Sequence, residues 1–332
     1  MTLTLTRGVA NVVIVTFDGV QALDVSGPHE VFAGATQVLA ARDLPGYAVR
    51  VVANRSGHVR TESGLTIVAD GLGAVAPEAL DTLVVPGGSG VRAAAADDAV
   101  VEGVRRLAGG ARRVVGVCSG AFVLAAAGLL DGKRATTHWA RGGRLAEQYP
   151  AIDVDTDPIW IRDGHVWTSA GVTAGIDLAL ALVEDDHGSD VAATVARWLV
   201  MFLRRPGGQS QFAAPAWRTP ARAEPVRRAQ QLIDADPAGD HRIGVLAAKV
   251  AMSERHFLRR FTVEAGITPA RYVAAARLDA ARRELEQSDA TVATIAARVG
   301  FGSAESMRRT FVSRLGVAPD TYRHRFRARR VP

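Results

Sequence analysis

The chain has 332 residues, 48% of them hydrophobic and 22% charged, with a formal net charge of +6 and a single cysteine. This length allows two domains with sizeable cores, and the composition is that of an ordinary globular protein and excludes a disordered or fibrous one. One cysteine excludes an internal disulfide, and the start of the chain lacks the pattern of a signal peptide, so we expect a cytoplasmic protein without a membrane partner.

The first part of the chain, to about residue 205, is predicted to alternate between strands and helices. Strands are predicted at 9–17, 47–53, 83–85 and 114–117, followed by a hairpin whose turn is Asp163-Gly164. Helices are predicted at about 28–42, 97–108, 119–129 and 191–205. The first helix is expected to have Pro28 in its first position, directly after Gly27. This alternation predicts an α/β domain with a doubly wound, mostly parallel sheet, whose sites lie at the carboxyl ends of the strands.

Cys118 is expected at that edge of the sheet. The strand that ends there is followed at once by Ser119-Gly120-Ala121, so the cysteine lies on a sharp turn that resembles a nucleophile elbow. Backbone amides and the positive end of the following helix would lower the pKa of the thiol and favour the thiolate. Alternatively, Cys118 is one more small buried residue, which is the commonest fate of a free cysteine.

Three other segments are expected to meet Cys118. Gly87 and Gly88 follow a strand and could present amide groups to an anion, or could simply form a tight turn. Asp24, in the loop after the first strand, could share a proton with the sulfur or bind a polar ligand, or could form an Asx-type turn. His138 could act as the base of Cys118, although a histidine beside a tryptophan is more often structural.

The last third of the chain holds two similar segments, IGVLAAKVAMSERHFLRRFTVEAG and TVATIAARVGFGSAESMRRTFVSRLG. In each, an apolar helix runs into a tight turn, and a serine, Ser253 or Ser303, follows at the N-cap of a second helix rich in arginine. This is the helix-turn-helix pattern, in which the second helix enters the major groove of DNA. One copy would be a weak signal, but two copies with shared spacing predict an all-α domain that binds double-stranded DNA.

The side chains of the second helices divide into an inner and an outer set. Phe257 and Phe261 match Met307 and Phe311, and each pair is four positions apart, so both pairs are expected to face the core. The outer residues and the two serines are expected to contact DNA, where arginine suits guanine edges and a glutamate could accept from cytosine. The outer residues are Arg255, Leu258 and Arg259 in the first helix, and Glu305, Ser306, Arg308 and Arg309 in the second, and His256 and Arg260 of the first helix are further candidates for DNA contact.

The positive charge is concentrated in the same part of the chain. Residues 221–332 contain 21 Lys and Arg against 12 Asp and Glu, a net charge of +9, whereas residues 1–220 carry a net charge of −3. Such asymmetry is typical of phosphate binding, although alone it would also suit an RNA or membrane-surface partner. The arginines at 323–330 could add phosphate contacts that do not depend on sequence, or could form a solvated basic end.

A segment rich in Gly, Pro and polar residues separates the two parts of the chain. We therefore expect a first domain at 1–205, a linker at 206–222 and a DNA-binding domain at 223–332.

Several of these motifs together carry a resemblance to known families. Cys-Ser-Gly-Ala-Phe-Val-Leu at 118–124, Arg-Ala-Thr-Thr-His-Trp at 134–139 and Leu-Asp-Val-Ser-Gly-Pro at 23–28 resemble the DJ-1/PfpI superfamily, which has a flavodoxin-like sheet. The duplicated segments, each ending in Gly, an apolar residue, Thr or Ala, and Pro, resemble the DNA-binding domain of the AraC family. A chain with both parts is similar to the GlxA-type transcription regulators.

The resemblance implies further properties. A long helix between the two copies would hold the recognition helices in successive turns of the major groove. The first domain would bind a small effector, such as an amino-acid or amine metabolite, and would form a homodimer. Isocyanide hydratase resembles the same domain and uses a cysteine and an aspartate, and Cys118, Ser119 and Asp24 fall on the matching positions. DJ-1 and PfpI proteins have a glutamate in place of Asp24, which argues against protease, deglycase or chaperone activity here.

Two functions from different classes remain open. The first is a sequence-specific transcription regulator whose first domain senses a small molecule and self-associates. The second is a cysteine-dependent enzyme, isocyanide-hydratase-like or amidase-like, that would use Cys118 and Asp24. The fused helix-turn-helix pair favours the regulator, because a free-standing enzyme has no need of it. No cofactor or metal is predicted for either function.

Overall fold

The computed structural model describes residues 8–205, 207–212 and 221–326. The chain divides into two compact units, 1–209 and 210–332, which are called the first and the second unit below. Part of the predicted linker, at 206 and 213–220, and the end of the basic tail, at 327–330, lie outside the described residues.

The first unit is built on an eight-stranded sheet with the strand order β3-β4-β2-β1-β5-β6-β10-β9. Its inner strands are parallel, and only β3 with β4 and β9 with β10 pair antiparallel. The strands are β1 (Ala10–Val15), β2 (Tyr47–Ala53), β3 (Gly57–Arg60), β4 (Thr66–Gly71), β5 (Thr82–Val85), β6 (Arg113–Val117), β9 (Trp160–Asp163) and β10 (Val166–Ser169). Two short strands, β7 (Arg134–Ala135) and β8 (Asp153–Val154), pair outside this sheet.

Helices of the first unit pack in two groups. One group consists of α1 (Ala22–Ala40), α6 (Ala174–His187) and α7 (Ser189–Trp198), and the other of α2 (Val91–Ala96), α3 (Asp98–Ala108) and α4 (Ala121–Ala126). A further helix, α5 (Gly142–Gln148), lies beside β8. The core strands β5 and β6 are buried along their whole length, as expected for β-branched runs covered by helices on both faces. The predicted fold class is therefore confirmed.

Helix α1 begins six residues earlier than predicted, and the expected start at Pro28 is wrong. Its N-cap is Gln21, and Pro28 lies inside the helix. A Cβ atom added to Gly27 would lie 2.9 Å from Cγ1 of Ile176, so Gly27 allows α1 to pack closely against α6. The Gly-Pro pair therefore serves helix packing, although in the sequence it is typical of a helix start.

Other boundaries differ in detail. Helix α4 ends at Ala126 and α7 ends at Trp198, both before their predicted ends. The antiparallel strands β3 and β4 were not predicted, because their residues alternate weakly and are largely exposed. The hairpin around Asp163-Gly164 is confirmed by β9 and β10.

The second unit consists of helices. They are α8 (Glu224–Ala235), α9 (Ile243–Lys249), α10 (Glu254–Ala265), α11 (Pro269–Gln287), α12 (Val292–Arg298), α13 (Ala304–Leu315) and α14 (Pro319–Phe326). They form two small cores, and the pairs Phe257 with Phe261 and Met307 with Phe311 are fully buried in them, as predicted. Corresponding residues of α10 and α13 lie 50 positions apart, so the second unit is an internal duplication with α11 between its halves. None of the helices in the described ranges combines the length and apolar character that a membrane span requires.

A buried ion cluster lies at the amino ends of the strands in the first unit. Arg113 donates to both carboxylate oxygens of Asp186, at 3.0 and 2.5 Å, and to Thr82 Oγ1 at 2.8 Å. The hydroxyl of Tyr47 donates to the same carboxylate at 2.7 Å. Burial opposes ionisation of Asp186, but the hydrogen bonds from Arg113 outweigh it and lower the pKa of this carboxyl group.

Replacement of Arg113 by methionine should destabilise the first unit by about 3–5 kcal/mol, because it leaves the buried carboxylate of Asp186 without its main partner. The matched control is Arg134→Met, which removes an exposed ion pair with Asp155 and should cost less than about 1 kcal/mol. Urea unfolding followed by tryptophan fluorescence measures both. Equal losses in the two variants would contradict a structural role for the buried cluster.

Candidate functional site

Cys118 lies at the carboxyl end of β6 in a strained backbone conformation. Its φ angle is 57°, in the left-handed region, and a single 3-10 turn, Cys118–Gly120, leads directly into α4. Gly171 packs against it, since a Cβ atom added there would lie 2.0 Å from Cβ of Cys118. Such backbone strain costs about 1–3 kcal/mol and is typical of functional sites. The predicted sharp turn is therefore present.

Asp24 lies in the first turn of α1 and its side chain is fully buried. Its two carboxylate oxygens accept hydrogen bonds from the amide of Gly87 at 3.0 Å and the amide of Val172 at 2.6 Å. The carboxyl group is also a hydrogen-bond partner of the Cys118 side chain. Burial raises the pKa of Asp24 to about 6, although these hydrogen bonds oppose the shift. Asp24 therefore contacts three segments of the first unit, and the predicted Asx-type turn is replaced by long-range contacts.

The pKa of the Cys118 thiol is raised and not lowered as predicted. Burial is the main cause and the nearby carboxylate of Asp24 is the second, while hydrogen bonds from Ser119 act in the opposite direction. The expected effect of the helix end is therefore outweighed. The raised pKa favours the protonated thiol over the thiolate, and this disfavours Cys118 as a nucleophile.

The amides of Gly87 and Gly88 do not form an open oxyanion hole in this structure. Gly87 donates to Asp24, and Gly88 donates to Ser119 Oγ at 3.1 Å. A Cβ atom added to Gly87 would lie 2.5 Å from the nitrogen of Ser119, so glycine is required for the close approach of the two turns. The predicted anion-binding role is wrong for this conformation, because both amides already have acceptors within the protein.

His138 is half-buried, and no described hydrogen bond joins it to Cys118. Its Nδ1 atom accepts from the amide of Ala140 at 3.3 Å, and burial together with the charge of Arg141 lowers the pKa of its imidazole. The neighbouring residue Thr137 is the one that contacts the cysteine, since its hydroxyl donates to the Cys118 carbonyl at 2.7 Å. The role of His138 as a base stays a prediction without support from these contacts.

Two residues near the site were missed by sequence reasoning. Glu62 lies in the turn between β3 and β4, accepts from Gln21 Nε2 at 2.6 Å and from the amide of Ser89 at 2.8 Å, and adds to the raised pKa of Asp24. Thr137 gave no signal beyond its place in the Thr-Thr-His motif. Across the described ranges, no group of three or more His, Cys, Asp or Glu side chains is arranged to hold a metal ion.

The second candidate site is the surface of the recognition helices α10 and α13. All the outer residues predicted there are exposed, except that Ser306 is partly buried. Ser303 caps α13, because its hydroxyl accepts from the amide of Ser306 at 3.1 Å. Ser253 is the N-cap residue of α10, as predicted, although its side chain makes no capping hydrogen bond.

Some charged residues of the two recognition helices form ion pairs and others do not. Glu305 accepts two hydrogen bonds from Arg308, both at 2.8 Å, and Arg260 pairs with Glu264 at 3.1 Å. Arg255, Arg259 and Arg309 form no ion pair with any residue in the described ranges. These three guanidinium groups are therefore free to contact DNA, whereas Glu305 and Arg308 must first separate from each other if both are to read bases.

Comparison with known proteins agrees with this architecture. Residues 10–185 match the DJ-1/PfpI family and residues 246–325 match a helix-turn-helix domain. The HTH-type transcriptional regulator Rv1931c of Mycobacterium tuberculosis is 38% identical over 237 residues, which cover 67% of this chain and 86% of that protein. The HTH-type transcriptional regulator GlxA of Rhizobium meliloti is 31% identical over 67% of this chain and 68% of its own length.

Two further proteins are similar to part of this chain. Isonitrile hydratase of Pseudomonas putida is 50% identical over 92 residues, which are 28% of this chain and 39% of that protein. The crystal structure of a THiJ/PfpI family protein from Pseudomonas syringae superposes with a TM-score of 0.54 at 30% identity, covering 69% of this chain and 87% of that one.

The chain belongs to the DJ-1/PfpI family. It carries in addition a C-terminal helix-turn-helix domain, so the resemblance to GlxA-type regulators that the motifs predicted is confirmed.

Cys118 should react slowly with iodoacetamide in the native protein. At pH 8 we expect a rate at least ~100-fold below that of free cysteine, because the reactive thiolate is disfavoured. Asp24→Asn should speed the reaction by removing the neighbouring negative charge. Mass spectrometry measures both rates without ambiguity, since the chain has one cysteine. The urea-unfolded chain is the control and should react at the rate of free cysteine. A rate in the native protein that equals or exceeds the rate of the unfolded chain would indicate a thiolate.

The stability of the first unit should depend on the ionisation of Asp24 between about pH 4 and pH 6. The pKa of this carboxyl group is raised from 3.8 to about 6, so within this window the folded chain holds a proton that the unfolded chain has lost. The unfolding free energy of the wild type minus that of Asp24→Asn should therefore fall as the pH rises through the window, by about 3 kcal/mol at most. Urea unfolding at a series of pH values measures this difference, and a flat difference would contradict the raised pKa.

Proposed function

We propose that this protein is a transcription regulator. In this proposal α10 and α13 bind two neighbouring major grooves of an operator in double-stranded DNA, and the first unit binds a small effector and self-associates. The observation that carries the proposal is the duplicated helix-turn-helix arrangement, in which the core residues of the recognition helices repeat at an interval of 50 positions and the basic residues face outward. Relatives named as HTH-type transcriptional regulators support it.

The charge and shape of the second unit suit a nucleic-acid partner. Residues 221–332 carry the net charge of +9. Because α11 is a single continuous helix of 19 residues between the two halves, it fixes their spacing, as recognition of two successive grooves requires. Phosphate contacts would supply affinity, and the exposed arginines of the recognition helices would supply part of the specificity.

The site around Asp24 and Cys118 suits a small polar ligand. A buried carboxyl group, a protonated thiol and the hydroxyl of Ser119 offer both hydrogen-bond donors and acceptors in a small volume. The family resemblance suggests an amino-acid or amine metabolite as the effector. Such a ligand regulates DNA binding only if its affinity differs between the DNA-competent and the DNA-incompetent arrangements of the protein.

Self-association is supported by an exposed apolar stretch in the first unit. Trp198, Val200 and Phe202 follow closely on one another at the end of α7, and their exposed fractions are 73%, 92% and 77%. Monomeric proteins rarely expose closely spaced large apolar side chains without a partner. A dimer formed through this stretch would present four recognition helices to the operator.

The alternative function, a cysteine-dependent hydratase or amidase, rests on the local similarity to isonitrile hydratase and on the pair of Asp24 and Cys118. Its chemistry would need a thiolate and free amide donors for a developing negative charge. The thiol of Cys118 has a raised pKa and the amides of Gly87 and Gly88 are occupied. The regulator therefore accounts for more of the structure.

Selection of bound sequences from a random duplex library by the full-length protein tests the proposal. We expect one preferred sequence with two parts about one helical turn apart. Replacement of Arg259 or Arg309 by alanine should then cost about 1–3 kcal/mol of binding free energy at one base position. Arg314→Ala is the matched control, because this exposed arginine lies in the last turn of α13, and it should leave base preference unchanged.

Other outcomes of the selection have clear meanings. If binding to all sequences weakens equally in Arg259→Ala, this arginine contacts a phosphate and does not read a base. If the wild type selects no sequence at moderate salt, the protein is not a sequence-specific regulator, and turnover of isonitriles or amides becomes the measurement of interest.

A further inference from the structure

The chain that leaves the first unit is held in place directly beside the candidate effector site. Gln209, its last residue, is 2% exposed although it is polar and lies outside the sheet and its helices. Its side-chain oxygen accepts from the amide of Trp139 at 2.7 Å. Its side-chain nitrogen donates to Thr136 Oγ1 at 3.1 Å, and to the carbonyls of Thr137 and Pro158, both at 3.0 Å. Every hydrogen-bonding group of this amide is therefore satisfied by the first unit.

One residue joins Gln209 to the site. The hydroxyl of Thr137 donates to the carbonyl of Cys118 at 2.7 Å, and the carbonyl of Thr137 accepts from Gln209. Thr137 is fully buried, so neither hydrogen bond is exchanged for one with solvent while the fold stays closed. We call this connection from Cys118 through Thr137 to Gln209 the Thr137 bridge. A shift of the strained turn at Cys118 must change the position of Gln209 or break one of the two hydrogen bonds.

Arg205 holds the same part of the chain against a different segment of the first unit. Arg205 donates to Asp177 Oδ2 at 2.6 Å and to Thr173 Oγ1 at 3.2 Å. Thr173 directly follows Val172, whose amide donates to the carboxylate of Asp24. Arg205 and Gln209 therefore each lie next to a segment that contacts one of the two central side chains of the site, Asp24 or Cys118.

Within the second unit, a residue close to Gln209 in the sequence is also held firmly. Gln211 is 1% exposed, its carbonyl accepts from Arg282 at 3.0 Å, and its side-chain oxygen accepts from Arg325 at 3.0 Å. Arg282 belongs to α11, the helix between the two halves of the second unit, and Arg325 belongs to α14 in the second half. Along the chain, only Ser210 separates Gln209 from Gln211. The connection between these two buried side chains therefore contains very little free chain.

We propose that Gln209 is a positioning residue that transmits the state of the effector site to the DNA-binding unit through the Thr137 bridge. This inference rests on the proposed function and names the route by which that site regulates DNA binding. A ligand that displaces the turn at Cys118 withdraws the Thr137 carbonyl from Gln209. The Gln209 amide then either follows Thr137 or leaves its buried position, because a buried amide without partners is strongly disfavoured. Either change is passed along one residue of chain to Gln211.

The test is a double-mutant cycle on the affinity of the full-length protein for the duplex that the wild type selects. Thr137→Val removes the hydroxyl that contacts Cys118 and keeps the shape of the side chain and the carbonyl. Gln209→Ala removes the other end of the bridge. If the bridge transmits changes at Cys118, Thr137→Val shifts the dissociation constant about fivefold or more in the wild-type background and less than about twofold in the Gln209→Ala background.

A second variant at Gln209 and a control variant elsewhere in the first unit complete the test. Gln209→Glu keeps the size of the side chain and the oxygen that accepts from Trp139, but a carboxylate cannot donate to the carbonyls of Thr137 and Pro158. It should uncouple the site in the same way, and it replaces Gln209→Ala if that variant does not fold. Gln148→Ala, at an exposed glutamine in the same unit, should leave the shift caused by Thr137→Val unchanged.

The possible outcomes separate this inference from the proposed function. If the wild type selects no duplex, the proposed function fails before the bridge is tested, and the inference falls with it. If the wild type binds but Thr137→Val causes the same shift in both backgrounds, or no shift in either, the bridge is overturned and the regulator stands. If both single variants lower the melting temperature equally and their effects on affinity are not coupled, Gln209 has only a structural role. This result also overturns the inference.

Discussion

The buried carboxylate of Asp24 is the interaction on which the candidate site depends. It accepts from the amides of Gly87 and Val172, which belong to turns that follow β5 and β10, and it contacts Cys118 at the end of β6. A buried carboxylate requires several hydrogen bonds, so these three turns must converge on α1. The convergence explains the positive φ angles of Cys118 and Val172, at 57° and 52°, since neither residue would adopt them without such constraints.

The strands and the DNA-binding domain could be predicted from the sequence because their signals are local. Runs of β-branched residues mark β1, β2 and β6, and the duplicated spacing of Phe257 and Phe261 marks both recognition helices. The chemistry of the site could not be predicted, because it depends on contacts between distant segments. Asp24 and Val172 are far apart in the sequence, and nothing local shows that a carboxylate will lie beside Cys118 and raise the pKa of its thiol. The start of α1 was missed for the same reason, since the close packing of Gly27 on Ile176 is not visible in the sequence.

The two halves of the second unit have the same core and different outer surfaces. Counting 50 positions forward, Arg255 corresponds to Glu305, Leu258 to Arg308 and Arg259 to Arg309. Buried positions keep their aromatic or large apolar character, because loss of packing would be costly in either half. The exposed positions differ, and the first helix has Arg255 and Leu258 where the second has the Glu305 and Arg308 pair. If these residues read bases as proposed, the two halves recognise different base sequences, and the operator of one chain has a direction.

The hydrogen bonds made by the polar groups of the candidate site suit the proposed ligand-binding role better than catalysis. A catalytic site works best when its donors are free and already aimed at the position where charge develops. Around Asp24 and Cys118 the reverse holds, because the amides of Gly87, Gly88 and Val172 donate to the protein's own side chains. A ligand that uses any of these amides must displace an internal hydrogen bond and thereby move one of the converging turns. Ligand binding is then coupled to a conformational change. Such coupling is unfavourable for catalysis, but it is the property that a regulatory site requires.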